Sequence, residues 1–327
     1  MSDVARAAGV SLKTVSRVVN RESGVTAETS ERVRAAIDSL GFRRNEAARA
    51  LRQGRVSQTL GLVIEDMANP FYFGIMRGVE EAARRNGLLV IAASSDESGE
   101  RERELTLALC ERRVDGLIVV PAADDHTYLL PEMRLGVRVV FLDRPPRGID
   151  ADTVLVDNVG GADTATSHLL AQGHRRVAMV GDIPALYTSV QRVSGYRNAL
   201  ERHGVPFDER LVRLGRHDVA ASERAAEELL ALDDPPTAIF AGNNRSTIGV
   251  LRASAKDGRR VALVGFDDFE LAELLPLPVT VVATDSVELG RQAAILLLDR
   301  LAGGNGRPKT VVLPTTLVQR GSGEIAP

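Results

Sequence analysis

One cysteine, Cys110, and no tryptophan stand in 327 residues. A lone thiol cannot close an internal disulfide, so no disulfide framework holds this chain. Cys110 falls in the helix-like run from Leu105 to Arg113 and reads as a small core residue rather than a nucleophile. No apolar run reaches the roughly 18 residues that a membrane helix needs. The opening Met1-Ser2-Asp3-Val4 has the character of neither a signal peptide nor a transit peptide, and a cytoplasmic protein is expected. The histidines at 126, 168, 174, 203 and 217 lack metal-ligand spacing to cysteines or carboxylates. His168 and His174 read as a helix face and a turn. Gly160-Gly161 fits neither of the glycine-rich phosphate loops, G-x-G-x-x-G and G-x-x-x-x-G-K-[ST]. No Ser/His/Asp set stands out. These absences leave no catalytic residue, metal ligand or cofactor to assign, and they make an enzyme an unfavoured reading.

What is present begins with an uneven charge. The chain as a whole carries -3. Residues 1–59 hold Lys13 and ten arginines against six acids, a net +5, which leaves the remainder at -8. A basic head on an acidic body suits a phosphate-binding module attached to a soluble sensor. Hydrophobic residues make up 44% of the chain, enough for a substantial core.

The head carries the sharpest local signal. A short helix reaches Ala8, Gly9 can supply the positive φ of a tight turn, and Ser11 can cap a second helix. Ala5 is small where two helices would cross, and Val15 and Val18 give the second helix an inward stripe. That spacing is the helix-turn-helix spacing. Leu12, Lys13, Ser16, Arg17 and Asn20 then share an outward face that would enter a major groove. Arg17 can grip a guanine edge, with Lys13 and Leu12 as candidates for base edges and thymine methyls. Thr14, Ser16 and Asn20 suit phosphates, which position without reading sequence. A third helix follows, capped by Thr26, with Val33, Ala36, Ile37 and Leu40 as its apolar face and Gly41 as its end. Residues 45–54 form an alanine-rich segment too short for an isolated helix. Its lone large apolar side chain, Leu51, stands between Arg49 and Arg52. It suits a wedge into a minor groove, with a linker helix packed on the body as the alternative.

From Leu60 the pattern changes to aliphatic runs alternating with helical stretches. The runs lie at 60–64, 88–92, 116–120, 137–142, 177–181, 238–241 and 261–266. Continuous buried strands alternating with helices predict parallel α/β sheets, and their number predicts two sheets with a cleft between them. Ligands bind outside the carboxyl ends of such strands. The residues found there are Asn69-Pro70-Phe71-Tyr72, Asp143-Arg144, Asn243-Asn244 and Asp267-Asp268. Their amides, carboxylates and guanidinium can pair with a polyhydroxylated molecule, and the aromatics can cover an apolar ring face. Any one of them alone reads more readily as a turn or cap.

Over essentially its whole length the chain resembles bacterial repressors of the lac repressor family. The resemblance rests on Asp3-Val4-Ala5-Arg6-Ala7-Ala8-Gly9-Val10-Ser11 with Thr14 to Asn20, and on Asn69-Pro70-Phe71. It continues in Arg112 to Ile118, Gly173 to Ala178 and Val264-Gly265-Phe266-Asp267-Asp268. It implies an all-α helix-turn-helix head (1–44), a hinge helix and linker (45–58) and a two-lobed periplasmic-binding-protein-like body (59–327). The first lobe would be 59–158 with 285–309, the second 159–284 with 310–321. It also implies a homodimer on a near-palindromic double-stranded DNA operator, with Leu51 of both hinges meeting in the minor groove. The effector would be a small molecule, a sugar or related polyol, held by Phe71, Tyr72, Asp143, Arg144, Arg192, Asn243 and Asp267. The chain departs from the family pattern at Asn244, where an aspartate is usual, and at Ala283-Thr284-Asp285, where Arg-Gln-Pro is usual. It is also shorter than usual between Arg252 and Val261. No terminal heptads follow Gly321, so a dimer is expected over a tetramer.

The expected function is therefore an allosterically controlled transcription regulator, a repressor, with no membrane partner. Within regulation, the alternatives are control by a nucleobase, nucleoside or partner protein, or an activator. A pure ligand-binding protein is a further rival, opposed by the basic head.

Overall fold

A computed structural model describes residues 1–20, 22–41, 57–215 and 217–327. The chain divides into a head, Met1–Ser57, and a body, Gln58–Pro327.

Three helices make the described part of the head: α1 (Ser2–Ala8), α2 (Leu12–Val19) and α3 (Ala27–Ser39). Gly9 ends α1 at φ 63°, the left-handed conformation that glycine adopts without a Cβ clash. The Ser11 hydroxyl then accepts from Thr14 N at 3.1 Å and caps α2. Val4, Ala5, Ala8, Val15, Val18, Val33 and Ala36 form one small core. Arg32 of α3 donates to the Ala8 carbonyl at 3.0 Å, satisfying an acceptor at the end of α1. Leu40 departs from the expected inward face: it is the C-cap of α3 and half exposed, because the helix ends before it completes that turn.

The body has two six-stranded sheets. The first runs β11-β5-β4-β3-β1-β2, built from β1 (Thr59–Ile64), β2 (Leu89–Ser94), β3 (Gly116–Val119), β4 (Arg138–Leu142), β5 (Asp152–Val156) and β11 (Thr310–Leu313), all parallel. The second runs β12-β10-β9-β8-β6-β7, from β6 (Val177–Val180), β7 (Val212–Arg213), β8 (Ala238–Ala241), β9 (Ala262–Phe266), β10 (Thr280–Ala283) and β12 (Thr316–Val318). Only β12 runs antiparallel there. In sequence order the two sheets are wound identically, so each strand of the first has a counterpart in the second: β1 with β6, β3 with β8, β4 with β9.

Helices α4 (Pro70–Arg85), α5 (Gly99–Glu111) and the short α6 (Leu130–Arg134) belong to the first lobe. Helices α7 (Asn158–Ala171), α8 (Tyr187–Arg202), α9 (Val219–Leu230) and α10 (Asn244–Asp257) belong to the second. Helix α11 (Ser286–Leu301) returns to pack on α4 and on β4. The approach of α4 to α11 is close enough that a Cβ on Gly78 would stand 2.0 Å from the Val287 carbonyl, and one on Gly290 2.1 Å from that of Ile75.

The chain passes between lobes three times, after β5, after β10 and between β11 and β12. Two of these passages end in aspartates that cap the next helix: Asp157 accepts from Gly160 N, Asp285 from Glu288 N, each at 2.8 Å. The third corrects the expected division. Thr310–Leu313 does not join the second lobe; it pairs with β5 in the first sheet, and the lobe change comes after Leu313. An edge strand is assigned by the neighbour it pairs with, which sequence spacing alone does not show. Strand β2 is likewise half exposed rather than continuously buried, because it is an edge. Cys110 is buried in the core beneath the first sheet, where burial pushes its thiol up to about 11.

Candidate DNA-reading face and effector cleft

On α2, Val15 and Val18 are buried while Leu12 and Lys13 are exposed and Thr14, Ser16, Arg17 and Asn20 are partly so. The helix thus turns its short aliphatics to the head core and leaves all six candidate residues on the remaining surface. Leu12, a large apolar side chain, is 53% exposed among the described residues. Asn20 is tied back to Glu22 at 2.7 Å and approaches Ser16 at 3.4 Å. Thr14 shares a 2.9 Å bond with Ser11, so its hydroxyl already supports the cap. Leu51 and the rest of the segment 45–54 lie outside the described residues.

The body's cleft lies where strand ends of the two lobes meet, and in this arrangement of the lobes its cavity volume is about 30 Å³. All seven expected effector residues line it: Phe71, Tyr72, Asp143, Arg144, Arg192, Asn243 and Asp267. Phe71 and Tyr72 are placed by local chemistry. Asn69 caps α4 by accepting from Phe71 N at 3.1 Å, and Pro70 occupies the first helical position, where a missing N–H costs nothing. Asn243 does the same for α10, accepting from Ser246 N at 2.7 Å while its amide donates to Asp182 at 3.0 Å.

Asp143 and Asp267 occupy equivalent positions in the two lobes. Each is the residue immediately after its strand, β4 or β9. Each donates its backbone N–H to the neighbouring strand, to Val154 at 2.8 Å and Val282 at 2.9 Å. Each sits at positive φ, 67° and 64°, uncommon for a residue with a side chain. Their Oδ1 atoms are buried and have no hydrogen-bond partner. Burial pushes Asp143 up to about 6, against the opposing pull of Arg144 and Arg192. Burial likewise raises Asp267, against Arg192.

Arg192 is buried on α8. It donates to Asn158 at 2.8 Å and to the Gly242 carbonyl, lies 3.8 Å from the centroid of the Phe266 ring, and faces Asp267 at 3.5 Å. Arg144 is held by both oxygens of Glu97, donates to the Pro121 carbonyl at 2.9 Å, and reaches Glu65 at 3.4 Å.

Glu65, Glu97, Asp182, His217 and Arg245 belong to this site and were not singled out from sequence. Glu65 follows β1 and accepts from the Tyr72 hydroxyl at 2.9 Å. Burial, reinforced by Glu97, pushes it up to about 7, although Arg144 and His217 oppose this. Across the cleft Arg245 binds Asp66 and lies 3.3 Å from Glu65, while His217 bonds to Asp182 at 3.0 Å with its other nitrogen 3.6 Å from Glu65. The Asp182 bond is the main cause of a raised His217 pKa. Asn244 donates to Asn69 at 2.8 Å, a further direct tie between lobes. Strand-end position alone could have flagged Glu65-Asp66 and Asp182. Glu97 follows β2 by three residues and could have been flagged the same way; His217 follows the two-residue β7, which the sequence did not reveal.

Among the described residues no helix is long and apolar enough to cross a membrane, and no group of three or more His, Cys, Asp or Glu could hold a metal ion.

Residues 1–45 match the family model described as bacterial regulatory proteins, lacI family, and residues 166–323 match the periplasmic binding protein-like domain. The HTH-type transcriptional regulator CelR of Thermobifida fusca is 36% identical over 334 residues, spanning 98% of this chain and 97% of CelR. The HTH-type transcriptional repressor CytR of Escherichia coli (strain K12) is 28% identical over 331 residues, spanning 100% of this chain and 97% of CytR. Among solved structures, the lac repressor dimer bound to operator and the anti-inducer ONPF matches with a TM-score of 0.84 at 25% identity, covering 98% of each chain. A CelR–cellobiose complex matches with a TM-score of 0.74 at 34% identity, also covering 98% of each. These relatives are regulators rather than enzymes. With a lacI-type helix-turn-helix head, a periplasmic-binding-protein-like body and full-length relatives of the same build, the chain belongs to the lacI family of bacterial transcription regulators.

Proposed function

We propose that this regulator is a cytoplasmic repressor, a homodimer on a near-palindromic operator, whose hold on DNA is set by a sugar or related polyol bound between the two lobes. The observation that carries the ligand reading is the pair of unpartnered buried carboxylate oxygens, Asp143 Oδ1 and Asp267 Oδ1, one from each lobe. Buried acceptors are normally satisfied, so these two suit a ligand that brings hydroxyl donors. A molecule donating to both favours one arrangement of the lobes. It shifts a conformational equilibrium by its differential affinity for that arrangement. The cellobiose complex of a full-length relative agrees with this class of ligand.

In the head, Arg17, Lys13 and Leu12 would read base edges while Thr14, Ser16 and Asn20 position the helix on phosphates. Leu51 of each hinge would enter the minor groove at the centre of the operator, and lobe movement would bias whether the two hinges can pair there.

Two measurements test the reading. Full-length protein is screened by thermal shift against sugars, polyols and nucleosides, and each saturable hit is carried into an operator titration. At a hundred times its dissociation constant a specific ligand adds about 2.7 kcal/mol of stability. A hit that weakens operator binding supports a ligand-released repressor. One that strengthens it makes the ligand a corepressor, and a nucleoside hit replaces the sugar. No hit from folded protein removes the sugar reading and favours a partner protein. In the second, Arg17→Ala should lose about 1–3 kcal/mol of discrimination between operator and random DNA while still binding the ligand. An unchanged preference would refute the assignment of α2.

A further inference from the structure

The cleft's charges are paired unevenly. Glu97 grips Arg144 through both oxygens, and Asp66 takes Arg245 with Glu65 beside it. Arg192 is engaged by Asn158, the Gly242 carbonyl and the face of Phe266. An incoming phosphate or carboxylate is ordinarily met by a guanidinium offering two parallel N–H groups. Here the chain has set its own acceptors at the terminal N–H groups of Arg144 and Arg245, leaving of Arg144 only the buried Nε, 3.7 Å from Asp143, without a hydrogen bond. The carboxylates show the reverse: two buried oxygens, Asp143 Oδ1 and Asp267 Oδ1, have no donor at hydrogen-bond distance, although Arg192 and Thr284 lie near Asp267. Both residues line the cleft, and both are at least nine-tenths buried. A phosphate ester would therefore bring roughly one and a half to two negative charges to a site already rich in buried carboxylate. Such charges repel strongly where water is excluded.

We infer that the effector carries no phosphate or carboxylate group: the cleft selects an uncharged, donor-rich molecule, and Glu97, Glu65 and Asp66 determine that specificity by occupying the guanidiniums an anion would use. This rests on the cleft being the effector site, and it narrows the class of ligand that fits. Glucose and glucose 6-phosphate would be told apart here by charge, before any difference in shape.

The experiment uses full-length protein and matched probes: inorganic phosphate against chloride at equal ionic strength, then glucose, gluconate and glucose 6-phosphate, ribose and ribose 5-phosphate, adenosine and its monophosphate. Thermal shift is the readout, repeated in Arg144→Gln so that anions bound by the basic head are distinguished from anions in the cleft. The expected result is no saturable phosphate shift that depends on Arg144. In any pair that binds, the uncharged member should bind at least about tenfold tighter, a difference of about 1.4 kcal/mol. Glu97→Gln should free Arg144 and create a saturable phosphate shift; Glu65→Gln serves the same purpose if that variant does not fold. A phosphate or acid that stabilises the wild type as well as its neutral parent, with the effect lost in Arg144→Gln, overturns the inference. The phosphate arm decides the charge preference even if no sugar binds, an outcome that counts against the sugar reading alone.

Discussion

Replacing Glu65 with glutamine should flatten the pH dependence of stability in a defined window. Glu65 is buried on the first-lobe side of the cleft, and its carboxyl is pushed from 4.5 up to about 7, chiefly by burial and then by Glu97. In the unfolded chain it ionises near its ordinary value. Between those two values the native protein holds one more proton than the unfolded chain, so stability falls as pH rises. One pH unit corresponds to 1.36 kcal/mol, so the full shift is worth about 3 kcal/mol across pH 4.5 to 7. Asp143, pushed up to about 6, acts in the same direction over a lower range. His217, whose pKa is raised by Asp182, adds stability that is lost as pH climbs past its folded value. At the acid end the sign reverses. Glu102, Asp152 and Asp182 have lowered pKa values, so their contribution is present above the ordinary carboxylate range and lost below it. Glu65→Gln keeps an acceptor for Tyr72 and removes the titrating group. Because the chain lacks tryptophan, unfolding in urea is followed by far-UV circular dichroism at half-unit steps from pH 5 to 8. The wild type should lose stability at up to about 1.4 kcal/mol per unit more steeply than the variant between pH 5 and 7. Equal slopes in the two proteins would refute the reasoning, whatever their absolute stabilities.

Three further changes test other links in the structure. Gly290→Ala places a methyl 2.1 Å from the Ile75 carbonyl, and overpacking of this kind costs about 1–3 kcal/mol; a body that melts unchanged would show that α4 and α11 are not so tightly set. Ser11→Ala removes the acceptor for Thr14 N and should cost the head about 1 kcal/mol, measured as earlier loss of amide-exchange protection in α1 to α3 with no change in the body. Arg192→Met strips a buried cation from Asp267, Asn158 and the Gly242 carbonyl. Breaking such a pair costs about 3–5 kcal/mol, and the loss should shrink at low pH, where Asp267 can take a proton; a loss below 1 kcal/mol at neutral pH would contradict it.

The head was readable from sequence because its determinants are local. Gly9 supplies one backbone conformation, Ser11 one cap, and Val15 and Val18 one buried stripe, all within ten residues. Most interior strands were readable for the same reason, since β1, β3, β4, β6, β8 and β9 are short aliphatic runs; β5 and β10, which open on Asp152 and Thr280, were missed. Pairing failed as well. Thr310–Leu313 and Thr316–Val318 are similar short strands two residues apart, yet they join different sheets, and only their partners β5 and β10 decide this. The cleft divides along the same line. Asp143 and Asp267 were identifiable because each directly follows a strand, and ligands gather at strand ends in α/β sheets. The duplicated winding then puts the two at matching positions in separate lobes, so one rule applied twice yields two acceptors in one cleft. Glu97 also follows a strand, β2, by three residues, but its role shows only in the structure, where Arg144 after β4 meets it. Sequence therefore located the acceptors that a ligand would satisfy. The residues that engage the cleft's guanidiniums became visible only once the lobes were assembled, and those are the residues on which the inferred discrimination between charged and uncharged effectors would depend.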